Sequence, residues 1–200
     1  MPSARDSSLV PSTLILLLGV ALCGNTSCGG GGGAHHLALH CSDSAVTKDV
    51  VALRCGPGTG REVLQIKVVI GGPTTADIKG FNFDVLFDSD VLTDGPLSYV
   101  PGSAVDGGLL SQDGDDPLLS AEPALSDPDR LIVGFHRTNQ LTGVQGKATE
   151  NVVLQFSIKA SLAGEFGPVL LKFENAEAVD PAGNILTGIA FSDQILLSVN

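Results

Sequence analysis

The residues of this 200-residue chain that could do chemistry are carboxylates, four cysteines and a handful of histidines. Between Lys79 and Arg130 lie 11 acids, Asp84, Asp88, Asp90, Asp94, Asp106, Asp113, Asp115, Asp116, Glu122, Asp127 and Asp129, with no Lys or Arg among them. An unpaired carboxylate is costly to bury, so a stretch of one sign is expected to face solvent or a cation. Within it, the loop QDGDDP sets Asp113, Asp115 and Asp116 around Gly114, oxygen ligands beside a turn residue of the kind calcium favours. The loop lacks the alternating spacing and the bidentate Glu of a twelve-residue calcium loop. It is therefore read as a solvated acidic loop, and no metal site is assigned. A negative surface of this kind would steer a basic partner.

Catalysis has little to stand on. Neither a Gly-x-Ser-x-Gly elbow nor a His-Glu-x-x-His pair occurs. His136 is the only histidine after residue 40; in RLIVGFHR its parity is opposite to that of Leu131, Val133 and Phe135, which points it outward, and no nucleophile stands near it in the sequence. Paired carboxylates for glycoside hydrolysis must stand about 5–10 Å apart, which a sequence does not display. No catalytic residue and no cofactor are assigned, and the chain is read as a non-enzyme. A sugar platform would need exposed aromatic rings, but there is no Trp, a single Tyr, Tyr99, and eight Phe that fall mostly at inward parity. Asn82, Asn139 and Gln140 offer hydrogen bonds to a sugar, with nothing to single them out.

The cysteines divide by position. Leu14 to Leu22, LILLLGVAL, is an uncharged apolar run followed by small and polar residues, the core of an export signal. It falls short of the roughly 20 apolar residues that span a bilayer, and Arg5 is the only base before it, offset by Asp6. Cys23 and Cys28 follow, and Cys28 opens the tract CGGGGG. The arrangement resembles a bacterial lipoprotein signal, in which a cysteine at the cleavage point is lipidated. Cys28 is preferred to Cys23 because a glycine tract makes a flexible tether; ordinary secretion with cleavage nearby is the alternative. Either reading expects an exported domain, in the first case on the cell envelope as an outer-membrane or cell-surface lipoprotein that touches membrane only through its lipid. Cys41 and Cys55 lie beyond the tether and are expected to form a disulfide in an oxidising compartment. A metal site built from Cys41 with His35, His36 and His40 is the alternative, although HHLALHC matches no standard ligand spacing.

The elements that position these residues are strands. With 43% hydrophobic and 16% charged residues, the length suits one domain. The net charge of −11, from 22 acids against 11 bases, argues against nucleic acid. Apolar residues alternate at Leu64, Ile66, Val68 and Ile70, at Phe81, Phe83, Val85 and Phe87, at Leu131, Val133 and Phe135, at Leu154, Phe156 and Ile158, at Val169, Leu171 and Phe173, and at Ile195, Leu197 and Val199. Weaker runs lie near Val50–Arg54, Leu97–Val100 and Ala104–Leu110. Gly71-Gly72-Pro73, Asp94-Gly95-Pro96, Pro101-Gly102, Asp127-Pro128-Asp129 and Pro181-Ala182-Gly183-Asn184 supply turns. The expectation is an all-β jelly-roll sandwich of about nine strands; no crossover helices are present for an α/β fold. The expected organisation is a signal over 1–28, a Gly/His-rich tether over 29–45 and the sandwich over 46–200.

The order of segments carries a resemblance. IKGFNFDVLFDSDVLTDGPLSYVPGSAV is similar to the central stretch of cohesin-like domains, an aromatic strand, a Phe-Asp-x-x-Val-Leu turn and a strand ending in Pro-Gly-Ser. RLIVGF, and then NVVLQFSIKASLAGEFGPVLLKFENAEAVDPAGNIL, match the later strands of that family. The resemblance implies a nine-stranded jelly-roll sandwich related to cellulose-binding modules. It also implies a protein partner, since cohesins bind dockerin modules in cellulosomes. No dockerin-contact residue is carried over. The chain is accordingly expected to be an envelope-anchored binding module for a dockerin-like or other surface protein, engaged through a sheet face or the acidic loop side. The alternative is a polysaccharide-binding module associated with polysaccharide degradation.

Overall fold

The computed structural model describes residues 39–56, 63–87, 97–139, 141–160, 169–192 and 195–199, all within one unit, His36–Asn200. Period-two alternation gives most of the strands one apolar face, and they can bury those faces only by stacking as two sheets. In chain order they are β1 (Leu39–Asp43), β2 (Val50–Cys55), β3 (Val63–Gly71), β4 (Gly80–Phe87), β5 (Leu97–Tyr99), β6 (Val105–Asp106), β7 (Leu118–Ala124), β8 (Asp127–His136), β9 (Glu150–Ala160), β10 (Val169–Val179), β11 (Ala190–Ser192) and β12 (Ile195–Val199). One sheet runs β1-β12-β10-β4-β8-β7. The other runs β11-β2-β3-β9-β5, with β6 also on β9. The named strands pair antiparallel except β11 and β2, which are parallel.

The all-β sandwich read from the sequence is the architecture found. Phe81, Phe83, Val85 and Phe87 of β4 are buried, as are Leu64, Ile66, Val68 and Ile70 of β3 and Leu154, Phe156 and Ile158 of β9, all in one core. Phe83 and Phe173 meet edge to face at 5.2 Å between ring centroids. Phe191, from the opposite sheet, lies 5.4 Å from Phe173. The aromatic trio therefore ties the two sheets across the interior.

Three differences from the sequence reading stand out. Twelve strands are described rather than about nine, because β1, β7 and β11 escape pattern reading: LHCSD and AFS are too short to show a period, and LLSAEPA carries a proline. The sandwich also begins before residue 46. β1 lies inside the stretch assigned to the tether and pairs along its length with β12, from Leu39 opposite Val199 to Asp43 opposite Ile195. What holds it is tertiary: Cys41 and Cys55 are disulfide-bonded with Cα atoms 6.0 Å apart, and the Asp43 carboxylate accepts from the Cys55 amide at 2.8 Å and pairs with Arg54. Finally, β9 carries a bulge at Val153, left without a partner between Val68 and Val69 of β3, and the consecutive Val153 and Leu154 are both buried. The signal segment, with Cys23 and Cys28, lies outside the described residues.

Candidate interaction surface

The inward alternation of β10, β4, β8 and β7 dictates what the other face of their sheet presents. Asn82 stands beside Gly134 of β8 and Glu177 of β10, Asp84 beside Ile132 and Glu174, Ser120 of β7 opposite Gly134, and Leu118 opposite His136. Gly134 leaves a shallow gap here: a Cβ at this position would meet nothing nearer than the Asn82 Oδ1 at 3.7 Å. Around the gap, Ile132 is 50% and Leu118 71% exposed. Among the described residues, these are the large exposed apolar side chains that the sheet sets between fixed polar groups.

Two networks fix the polar groups. Arg130 donates to Asp84 at 2.6 Å, Glu174 at 3.0 Å and Asp127 at 3.3 Å. Asn175, at positive φ in the β10 bulge, donates to Asp84 at 2.7 Å. The Asp84 hydrogen bond, reinforced by Asp127 and Glu174, holds the guanidinium above its ordinary pKa. In the second network, the His136 Nε2 and Asn82 Oδ1 share a hydrogen bond of 2.7 Å, and the Asn82 amide donates to Glu177 at 2.9 Å. Partial burial pushes the imidazole below its usual 6.5, helped by Lys79 and opposed by Glu177. His136 does point out of the core, as its parity implies, and its ring covers Gly80, where any Cβ would collide with it. It serves here to orient Asn82.

The acidic stretch is less open than its composition implies. Asp84 is only 8% exposed, because the antiparallel pairing of β4 and β8 returns Arg130 to it across 46 residues. Asp115 is likewise enclosed, its side chain and that of Arg137 each 2% exposed with Nε and Oδ2 at 3.1 Å. The Asp115 Oδ1 accepts from the Thr138 amide and hydroxyl, and Oδ2 accepts from the Asn139 amide. The Thr138 hydroxyl, then these amides and the Arg137 charge, lower the Asp115 pKa against the opposing effect of burial. Arg137 also donates to the carbonyls of Leu110 and Gln112. Asp115 is thus a latch that closes the 110–116 loop onto the end of β8. Donors occupy both its oxygens and a guanidinium stands where a cation would, so the calcium-like pattern of QDGDDP is filled from within. Asp113 and Asp116 remain exposed.

The other candidates resolve as follows. Cys41 is committed to its disulfide and has no thiolate to offer a metal; His35 and His36 lie outside the described residues. Among the described residues no group of three or more His, Cys, Asp or Glu is arranged to hold a metal ion. Tyr99 is 6% exposed, with its hydroxyl accepting from the Ala104 amide, so it is no sugar platform. The phenylalanines at 81, 83, 87, 135, 156 and 173 are buried. Asn139 caps its own loop by accepting from the Leu141 amide; Gln140 lies outside the described residues. Sequence reading missed Arg130, Gly134, Ile132 and Leu118. The signal for the first three was present, since RLIVGFH alternates and its outward set is Arg130, Ile132, Gly134 and His136.

No family model and no curated protein sequence matches the chain. Solved structures do. The sixth cohesin of scaffoldin B from Acetivibrio cellulolyticus, solved with a Cel5 dockerin mutant, is similar at 16% identity and a TM-score of 0.54, over 74% of this chain and 97% of that one. The second type II cohesin of the adaptor scaffoldin ScaA from the same organism gives 13% and 0.53, over 72% and 87%. The OlpC cohesin of Clostridium thermocellum, solved with the dockerin Doc435, gives 8% and 0.52, over 77% and 96%. Identities this low speak for architecture: a sandwich in this strand order, stabilised by this core, is a cohesin-like domain in its fold.

Proposed function

We propose that this chain is a non-enzymatic binding module that recognises a folded protein, dockerin-like or another surface protein, through the outer face of β10, β4, β8 and β7. The supporting observation is the preorganisation of that face. Asn82, Asp84, Arg130 and His136 are held by mutual hydrogen bonds before any partner arrives, and Leu118 and Ile132 stand exposed around the Gly134 gap. A prearranged polar face with a few apolar anchors limits the entropy lost on docking and sets register through charge. The dockerin-bound cohesins among the similar structures support a protein as the partner class. The face also suits a protein better than a sugar, which would need stacked rings.

The module is further proposed to be exported and held at the cell envelope by a lipid on Cys28, or on Cys23, with membrane contact through that lipid alone. Cys28→Ser is expected to release the protein from membranes; release by Cys23→Ser only would move the assignment. The binding reading is tested by crosslinking intact membranes through Lys79 and Lys172 and identifying the captured protein. Gly134→Arg is accommodated by the open space above β8, so it is expected to abolish capture while leaving thermal unfolding unchanged. Capture unaffected by Gly134→Arg, or crosslinks mapping only to the opposite sheet, would remove the face from consideration.

A further inference from the structure

The free edge of the sheet that carries this face is the second feature built to receive something. β7 ends its sheet, and among the described residues only β8 pairs with it. Pro123 stands opposite Leu131 and has no N–H to give it, so this is a non-hydrogen-bonded pair. Antiparallel pairs alternate, and Ala121 opposite Val133 and Leu119 opposite Phe135 are therefore of the same kind. It follows that Leu119 and Ala121 direct both N–H and C=O away from β8, and Pro123 its C=O. Two donors and three acceptors in line form a strand-pairing edge that no other described residue fills.

This edge opens on a cleft of about 480 Å³ between the two sheets. One wall is Leu119, Ala121 and Glu122; the other is Tyr99, Pro101 and Ala104. The second wall is fixed in place. Ser103 exchanges hydrogen bonds with Ser157 of β9 through its hydroxyl, and the Ala104 amide donates to the Tyr99 hydroxyl. Both walls come from the stretch between Lys79 and Arg130 that contains no base. Glu122 lines the cleft, and Asp106 and Asp116 follow and precede its walls, all three exposed. The neighbouring arginines do not offset this charge at the edge, since Arg130 is shared among three carboxylates and Arg137 is buried against Asp115.

We propose that β7 is a strand-addition site for an extended, Lys/Arg-bearing segment of a protein partner, whose backbone pairs with Leu119 and Ala121 and whose bases meet Glu122. Backbone pairing supplies affinity and the acidic rim supplies selectivity, the division of labour seen wherever a peptide completes a sheet. A second copy of this chain is the less suitable occupant, because it would bring Glu122 and a net charge of −11 against themselves. The backbone pairing is independent of the outer-face reading; Glu122, opposite Ile132, also borders that face, so Ala121→Pro is the variant that tells the two apart.

The test selects a displayed random heptapeptide library on the full protein, then measures one enriched peptide by titration with amide chemical shifts. Enriched sequences are expected to be Lys/Arg-rich and free of internal proline, and to shift the Leu119 and Ala121 amides. Ala121→Pro removes a donor that β8 does not use, and is expected to weaken that peptide about tenfold or more. Glu122→Lys leaves the ladder intact, and is expected to weaken it several-fold and to flatten its salt dependence. Failure to enrich any peptide, enrichment of neutral or acidic ones, or a peptide that binds both variants as tightly as the parent would overturn the proposal. So would a concentration-dependent dimer abolished by Ala121→Pro, which would give the edge to a second copy. None of these results alters what Gly134→Arg reports about the outer face.

Discussion

Replacing Phe83 by Ala tests the sandwich where its two layers meet. The ring is 1% exposed on β4, which lies between β10 and β8, with Phe173 edge-on at 5.2 Å and Phe191 at 6.4 Å. Taking such a side chain out of the interior forfeits roughly 1.5–3 kcal/mol of transfer free energy. The lost edge-to-face pair adds about 0.5–1.5 kcal/mol. The residual cavity brings the whole into the range of about 3–5 kcal/mol seen for buried Phe→Ala changes. At about 2–4 °C per kcal/mol for a domain of this size, the melting temperature should fall by about 6–20 °C. Urea unfolding followed by circular dichroism measures the free energy directly, and an unchanged slope would show that the folded and unfolded ensembles keep their compactness. Combining Phe83→Ala with Phe173→Leu should give less than the sum of the two, because they share a contact. A loss below about 1 kcal/mol for Phe83→Ala would mean that the ring is not core material, and with it the assignment of which face of β4 is inner and which is outer would fall.

The remaining expectations concern individual side chains. Mass spectrometry without reductant should show Cys41 joined to Cys55, and the double serine variant should lose about 3 kcal/mol, the chain-entropy value for a loop of about 15 residues; free thiols in exported material would count against the pair. His136 should titrate below 6.5 by NMR. The unfolded chain then takes up its proton first, so the contribution of the neutral ring is full above about 6.5 and is lost as pH falls from there through the depressed native value. A native value at or above 6.5 would refute the enclosure of the ring. The lowered pKa of Asp115 works in the same direction further down: its latch holds above its ordinary 3.8 and releases as pH falls through the lower native value. The protection of the Thr138 and Asn139 amides against hydrogen exchange, relative to the unfolded chain at the same pH, should fall in that acid range, and should fall at neutral pH in Asp115→Ala.

What could be read in advance follows from the range of the interactions. The alternation in IKGFNFDVLF places four apolar residues inward without knowledge of any neighbour, and β3, β8 and β9 follow the same rule. β7 resists it because Pro123 interrupts the run and its outward set, Leu118, Ser120 and Glu122, mixes apolar with polar side chains. β11 resists it because three residues parallel to β2 show no period. At the face, Asn82 and Asp84 were legible as outward residues, but their partners were not. Arg130 reaches Asp84 across 46 positions and Asn175 reaches it across 91. Charge counting over Lys79 to Arg130 read the acids as uncompensated, although the two compensating arginines begin at the end of that very stretch. Local composition carries no information about a hairpin that folds its far side back on its near side.

The pairing of β1 with β12 and the Cys41–Cys55 bond have a mechanical meaning. A pull on the N-terminal end of the chain meets β1 first, and β1 begins level with Val199, so the applied force acts to peel it from β12 bond by bond. Peeling can free only Leu39 and His40. At Cys41 the load passes through a covalent bond to β2, which is laced along its length to β3 in the opposite sheet. Tension is thereby spread into the interior of the sandwich, and an oxidised module should stay intact under drag that would unravel a reduced one from its first strand.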